Sequence, residues 1–556
     1  MRVLGVNAVF HDPAAALVVD GEIVAAAEEE RFTRRKHGKE PVAFSTWELP
    51  EQSARWCLNY AGIRPEQLDA VAYSYDPALA PPTDGVTDLT WEGLRTLYVK
   101  RAPRFLRTAL PGLDERRVRF VAHHVAHAAS AYAAAGWEER AVLVLDGRGE
   151  RGSHLAGHVR DGRLDVLAAQ ELPHSLGLVY EQLTEHLGFH RACDEYKVMA
   201  LASYGEPRFL EQLRPAIRTT GDGGFVAAPP HWSAFVWPLA PGDPVRAEHA
   251  DLAASVQRLL EEVVLELAAW LHERTGSPRL ALAGGVALNC VANARLHRDG
   301  PFEQLWVQPA AGDAGTALGA ALYVARELGD GPRAMRSAAL GRGWDDAALE
   351  RWLDGAGVVY ERPDDIADTV AETLAANGVV AWFEGRSEYG PRALGHRSLL
   401  ADPRDPANVE RLNEVKGREQ FRPVAPMVLA ERAAEVFDGL LPSPYMLFTH
   451  RVLDEWRERI PAVVHVDGTA RVKTVDRQAE PLVARMLDAF EARTGVPLVV
   501  NTSLNTAGRP MVDDPRDALE CFGAAPIDLL AIGPFAVRRP RMPGRRREAP
   551  PEAVVA

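Results

Sequence analysis

The run Ala141-Val142-Leu143-Val144-Leu145-Asp146-Gly147-Arg148-Gly149-Glu150 decides how this chain is read. Its five apolar residues predict a buried strand that delivers Asp146 at its carboxyl end. Residues 152–159 and 164–167 follow as two further strands, joined by Asp161-Gly162, a dipeptide suited to a tight hairpin. The same order opens the chain. Residues 3–6, 14–19 and 23–27 read as strands, Asn7 closes the first of them, and Asp20-Gly21 turns the hairpin. Two copies of a three-strand unit with helices between predict an internal duplication, two subdomains facing each other across a cleft. A third buried run, residues 280–283, enters Gly284-Gly285 and then a helix. That turn is expected to offer backbone N–H groups to an anion or nucleotide.

Just upstream of the deciding run, His123-His124-Val125-Ala126-His127 starts an alanine-rich helix. His123 and His127 stand four apart, so both imidazoles project from one face. Together with Asp146 they suit a first-row divalent metal such as iron, zinc or manganese. Histidines at this spacing also occur on ordinary helix surfaces, so the pair alone is a weak signal.

The chain has 556 residues, enough for two or more domains, and 47% hydrophobic with 25% charged residues is ordinary for a soluble globular protein. A net charge of −14 disfavours a broad nucleic-acid footprint. The four cysteines, Cys57, Cys193, Cys290 and Cys521, include no CxxC pair, which disfavours a zinc ribbon or a disulfide framework. The first residues enter a strand without a signal-peptide pattern, and no apolar run reaches membrane-spanning length. A cytoplasmic enzyme without membrane or nucleic-acid partners is therefore expected. Residues 329–343, rich in Gly, Ala and Arg, read as an interdomain connection, after which a second α/β pattern begins. The proline-containing segment 76–112 surrounds a basic helix. Segment 221–243, with Trp232, Phe235 and Trp237, reads as a surface loop or as a wall for a bulky substrate. A tail from Arg538 reads as disordered.

Longer motifs carry a resemblance. The His123–His127 run, Asp146–Glu150, Glu195-Tyr196-Lys197-Val198-Met199 and the Gly-rich segment around Asp313 resemble the actin/sugar-kinase/Hsp70 superfamily, in its branch related to threonylcarbamoyl-adenosine synthesis. Tyr389-Gly390-Pro391-Arg392-Ala393-Leu394-Gly395-His396-Arg397-Ser398 and Asn501-Thr502-Ser503-Leu504-Asn505 resemble the nodulation and antibiotic O-carbamoyltransferases. The resemblance implies an α/β protein with a duplicated actin-like (Kae1-like) domain over 1–343, a YrdC-like α/β domain over 344–537 and a tail over 538–556. It implies an enzyme that moves the carbamoyl group of carbamoyl phosphate, through carbamoyl-adenylate made with ATP and Mg, to a hydroxyl of a natural-product acceptor, glycosidic or polyketide.

By the same resemblance, His123, His127, Asp146 and Asp313 hold the metal, expected as iron(II), with His124 and Asp12 in supporting places. His11 is the expected catalytic base, since a neutral imidazole suits proton removal near neutrality, and Lys36 is a second catalytic candidate. Lys197, Gly284, Gly285 and Asn289 are expected on the nucleotide. Arg392, Arg397, Lys416, Arg418, Arg422 and Arg471 are expected on carbamoyl phosphate, because guanidinium forks match phosphate oxygens. Asn501, Thr502, Ser503 and Asn505 offer amide and hydroxyl partners to the carbamoyl group. The main alternative is a threonylcarbamoyl transferase acting on tRNA, disfavoured by the net charge and by the Gly390–Ser398 run. A hydrogenase-maturation enzyme would carry paired CxxC motifs, a sugar-kinase-like enzyme would release ADP, and an idle nucleotide-binding scaffold would not need the full set of ligands.

Overall fold

The computed structural model describes residues 1–38, 48–81, 91–506 and 508–539. Its first sheet holds β1 (Arg2–Asn7), β2 (Ala14–Val19), β3 (Glu22–Glu28), β4 (Ala70–Tyr73) and β5 (Val118–Phe120), in the order β3-β2-β1-β4-β5. The second is built from β6 (Arg140–Leu145), β7 (Gly152–Arg160) and β8 (Arg163–Glu171), while β9 (Ile217–Thr219) and β10 (Phe225–Ala227) form a hairpin apart from it. Adding β11 (Arg279–Ala283) and β12 (Gln304–Val307) completes the order β12-β11-β6-β7-β8. Reading outward from β1 and from β6, each sheet is antiparallel on the hairpin side and parallel on the other. Both hairpins turn with positive φ at the two central residues, Asp20 (49°) and Gly21 (77°), then Asp161 (50°) and Gly162 (67°). Asp-Gly tolerates that conformation, which matches the strand twist.

The helices His123–Tyr132 and Ala314–Glu327 pack against each other, the first also against the second sheet and the second against the first. Alanines make this possible: Ala126, Ala128, Ala129, Ala317, Ala320 and Ala321 are all buried. Two glycines let backbones touch. A Cβ on Gly5 would lie 1.8 Å from the Ala317 carbonyl oxygen, and one on Gly319 would lie 1.8 Å from that of Ala126. Small residues thus bring the amino ends of both helices, with His123, His127 and Asp313, to one place.

The remaining strands are β13 (Val380–Phe383), β14 (Arg397–Ala401), β15 (Ala425–Leu429), β16 (Phe437–Asp438), β17 (His450–Val452), β18 (Thr469–Ala470), β19 (Lys473–Val475), β20 (Leu498–Ser503), β21 (Leu529–Ile532) and β22 (Phe535–Arg538). Seven of them form a mixed sheet, β19-β15-β20-β14-β13-β21-β22, and β16-β17-β18 form a small separate one. Its core is aromatic and aliphatic, with Trp382, Phe383, Phe490 and Phe535 buried, in contrast to the alanine seam of the first part. Trp382 satisfies its buried indole by donating to the Gly395 carbonyl at 2.8 Å.

Buried polar contacts join this part to the first. Gly390 donates its N–H to Glu28 at 2.6 Å, Arg31 donates to the Gly390 carbonyl at 3.0 Å, and Arg34 pairs with Asp517 at 3.1 Å. The expected tail start needs correction: Arg538 ends β22, and the Arg539 guanidinium donates to the Phe522 and Ala525 carbonyls. The rest of the expected tail, 540–556, lies outside the described residues, as does 82–90 of the segment 76–112. Among the described residues no helix is long and apolar enough to cross a membrane.

Candidate active site

The helix His123–Tyr132 starts where the Glu150 carboxylate accepts the His123 backbone N–H at 2.9 Å, an external cap for the positive end of a helix. One turn apart, His123 and His127 then face Asp146, at the end of β6, and Asp313, at the start of Ala314–Glu327. One ligand atom from each of the four lies within 4.8 Å of the others, and all four residues are buried. Nε2 of both histidines stands 3.6 Å from Oδ2 of Asp146 and 3.6 Å from Oδ1 of Asp313. That is too long for a hydrogen bond and is the spacing of atoms sharing one ion about 2.1 Å away. Accordingly, Nε2 of His123, Nε2 of His127 and Oδ2 of Asp313 are buried without a hydrogen-bond partner. His123 Nδ1 lies 3.0 Å from the Ser74 carbonyl, which fixes the proton there and leaves Nε2 as the ligand. The donor set fits a divalent cation. Burial works against charge on Asp146 and Asp313, yet the neighbouring histidines outweigh it and hold both carboxyls below the ordinary range.

Gly284-Gly285 serves this cage in a way the sequence does not predict. A Cβ on Gly284 would meet the Leu145 carbonyl oxygen at 2.2 Å, and the residue does not line the cavity, so its role is close packing. The Gly285 N–H, expected on a nucleotide anion, donates to Asp146 Oδ1 at 2.9 Å. Gly285 does line the cavity, as does Asn289, which caps the helix Cys290–Asp299 and exchanges hydrogen bonds with Gln257.

His11 lies beside the cage. Its Nδ1 is 2.8 Å from Asp12 Oδ2, and its Nε2 is 3.9 Å from Asp313 Oδ2. The other Asp12 oxygen is 2.7 Å from His37 Nδ1, so one carboxylate bridges two imidazoles. Asn7, at the end of β1, fixes the turn by donating to the carbonyls of His11 and Asp12, both at 2.9 Å. Phe10 and Asp12 carry positive φ (66° and 51°), local strain held by these contacts. Burial opposes charge on Asp12, but His37 and His11 hold it well below the ordinary carboxylate value.

One continuous cavity of about 1110 Å³ runs from His11, Asp146 and Asp313 to the last part of the chain. That part of the chain lines it with Arg392, Lys416, Arg418, Arg422, Arg471, Asn501, Thr502, Ser503 and Asn505, and the Arg392 guanidinium also donates to the Leu288 carbonyl at 3.1 Å. This is one chamber rather than two pockets. Burial, with Arg471 near, pushes Arg392 down to about 9; burial, with Arg422 and Arg471, does the same to Arg418. Lys416 is pushed well below the ordinary lysine value by burial and by Arg418 and Arg422, and its ammonium donates to Ser503 Oγ at 2.9 Å and to Asn505 Oδ1. Crowded cations whose charged forms are disfavoured mark a place that an anion would stabilise. Asn501 donates its amide N–H to the Ala393 carbonyl at 2.9 Å and leaves Oδ1 buried without a partner.

Several expectations change. Arg397 does not reach the cavity. It is fully buried, stacked on Phe383 at 3.7 Å, and its guanidinium donates to the carbonyls of Glu384, His396, Arg342 and Gly385. Lys197 lines the cavity, but its ammonium is held by Glu419 at 2.8 Å and Asp194 at 3.0 Å. Lys36 lines the cavity as expected. Trp232 packs into, and Phe235 against, the apolar core beside the second sheet, and Trp237 is 82% exposed; none lines the cavity. Asp12, expected in a supporting place at the metal, instead orients His11 and His37; the signal in the sequence is the carboxylate adjacent to the candidate base.

Residues 2–114, 109–225 and 241–322 match the family model described as Carbamoyltransferase N-terminus, and residues 371–539 match Carbamoyltransferase C-terminus. Nodulation protein NolNO of Sinorhizobium fredii is 38% identical over 560 residues, covering 96% of this chain and 80% of its own. Nodulation protein NolO of Bradyrhizobium diazoefficiens is 40% identical over 436 residues, 75% of this chain and 78% of its own. The ROK hexokinase of Thermus thermophilus aligns in structure with 59% of this chain and 100% of its own, at 19% identity and a TM-score of 0.30, a likeness too slight to carry an argument. The chain belongs to the carbamoyltransferase family, and it is an ATP-dependent O-carbamoyltransferase that moves the carbamoyl group of carbamoyl phosphate to a hydroxyl of a small molecule.

Proposed function

We propose that the two ends of the cavity divide this reaction between them. At the cationic end, Arg392, Lys416, Arg418, Arg422 and Arg471 bind the phosphates of carbamoyl phosphate and of ATP, which arrives with Mg. Carbamoyl phosphate and water give carbamate and phosphate. A carbamate oxygen then attacks the α-phosphorus of ATP, the bond to the β-phosphate oxygen breaks, and carbamoyl-adenylate and pyrophosphate form. Asn501 Oδ1 accepts from the carbamoyl NH2, with Thr502, Ser503 and Asn505 beside it.

At the other end, an acceptor hydroxyl oxygen attacks the carbamoyl carbon and the carbon–oxygen bond to AMP breaks. The hydroxyl proton passes to Nε2 of His11, while Asp12 keeps Nδ1 protonated and the ring aimed. Lys36 steadies the phosphate of the departing AMP, and Gly285 and Asn289 lie on its adenosine side, with Gly284 packing behind. His123, His127, Asp146 and Asp313 would hold a divalent cation, expected as iron(II), which when bound offsets negative charge on the departing phosphate. A shared cavity shortens the path that carbamate and its adenylate travel through bulk water.

In this reading the two like-ordered sheets are one actin-like unit used twice (1–343), and the seven-stranded sheet is a YrdC-like domain (344–537). The acceptor is a hydroxylated natural product, glycosidic or polyketide. The observation that carries the proposal is that a cage built for a cation and a cluster built for an anion open on the same cavity. The test is incubation with carbamoyl phosphate, ATP, iron(II) and a panel of hydroxylated metabolites. AMP, pyrophosphate and an acceptor heavier by one carbamoyl unit are expected; ADP in place of AMP would contradict the scheme. His11→Ala should still release pyrophosphate and fail to transfer.

A further inference from the structure

An adenylate made at one end and consumed at the other must cross the middle of the cavity. The helix Glu195–Ala202 lines that cavity through Glu195, Tyr196, Lys197 and Met199. The Tyr196 ring has Arg422, from the cationic end, 4.7 Å from its centroid, and Lys36, next to the His37 that Asp12 binds, at 6.0 Å. Both cations line the cavity. The ring is held from its far edge: the Tyr196 hydroxyl donates to Asp194 Oδ1 at 3.2 Å, and the other Asp194 oxygen pairs with Lys197 at 3.0 Å. Lys197 in turn reaches Glu419, and Tyr204 donates to the Phe421 carbonyl at 3.2 Å, so the helix and the loop bearing Arg422 are tied together.

We propose that Tyr196 is a positioning residue for the handover, presenting Arg422 and Lys36 as successive stations for the adenylate phosphate. The physical reason is electrostatic. An aromatic face attracts a cation without neutralising it as a carboxylate does, so it can draw two like charges together; Arg422 is shared with Glu419 at 3.5 Å, while Lys36 keeps its charge for an anion. Lys36 has no carboxylate at ion-pair distance among the described residues, and its ammonium stands over this ring. A phosphate leaving Arg422 therefore meets the next cation across one ring, instead of open water in which its mixed anhydride would hydrolyse. No bond is made or broken in this step.

The inference rests on the two-step reading above, and its test separates the two. With carbamoyl phosphate, ATP, iron(II) and a working acceptor, AMP and carbamoylated product are counted in the same reaction. Wild type should form them in a ratio near one. Tyr196→Leu keeps bulk and loses the π face; pyrophosphate should still be released at a near-normal rate, while AMP exceeds product severalfold because the intermediate escapes and hydrolyses. Tyr196→Phe keeps the ring and should keep the ratio near one. A ratio that stays near one in Tyr196→Leu, or that rises equally in Tyr196→Phe, overturns the role of the ring. Absence of carbamoyl phosphate-dependent pyrophosphate release in wild type would instead overturn the two-step reading itself.

Discussion

The two ends of the cavity are opposites in charge, one built from carboxylates and imidazoles and the other from guanidinium and ammonium groups. Around Asp146 and Asp313, two carboxylates and two imidazoles face a shared point with lone pairs unpartnered. Around Lys416, Arg418 and Arg392, cations crowd one another until burial and repulsion lower their affinity for protons. One end offers donors to a cation and the other offers donors to an anion. A single chamber holds two electrostatic environments, and the proposed division of the reaction gives one task to each.

The contrast can be broken first at the cage. Asp313→Asn removes one of its two negative charges and should lower bound divalent metal and slow product formation by about 10³-fold, since metal stabilisation amounts to several kcal/mol; metal analysis and turnover check both. At the other end, Lys416→Met should slow pyrophosphate release by about 10²-fold and leave metal content unchanged. A fall in metal content there would mean that the ends are not independent.

Asp12→Asn sharpens the account of the base. Losing the carboxylate behind His11 should cost roughly tenfold to a hundredfold in transfer, by analogy with groups that orient metal ligands, with a changed pH–rate profile and unchanged pyrophosphate release. Arg397→Met tests which arginines belong to the contrast. It should lower unfolding stability by about 3 kcal/mol, because several buried carbonyls lose their donor, while the folded fraction keeps its rate within about twofold. The smallest effect concerns the seam between the two parts. Burial raises Glu28, bonded to Gly390, to about 7. A carboxyl raised in the folded state contributes its stability at low pH and loses it as pH climbs from the ordinary carboxylate value toward 7. Glu28→Gln should flatten stability against pH over that window, by roughly 1–2 kcal/mol.

Much of this was legible from local pattern. The Asp-Gly hairpins, the runs of alternating small apolar residues and the four-residue spacing of His123 and His127 are short-range signals, and the corresponding elements form where that grammar puts them. Asp146 and Asp313 lie far apart in sequence, and strand and helix ends bring them to the histidines. What stayed hidden depends on tertiary surroundings. Arg397 and Arg392 sit in one motif and look alike, yet the first is wrapped by backbone carbonyls and the Phe383 ring while the second enters the cavity. Gly284 and Gly285 resemble a phosphate loop, but Leu145 presses on one and Asp146 takes the N–H of the other. Trp232 and Phe235 read as a surface loop or a substrate wall because their packing beside the second sheet is set by residues distant in sequence.

The most direct test is carbamoyl phosphate-dependent exchange of labelled pyrophosphate into ATP, measured without acceptor on Asp313→Asn and Lys416→Met side by side. Exchange should survive the change in the cage and collapse with the lysine. Loss of exchange in both, or loss only in Asp313→Asn, would contradict a division of labour between the two ends.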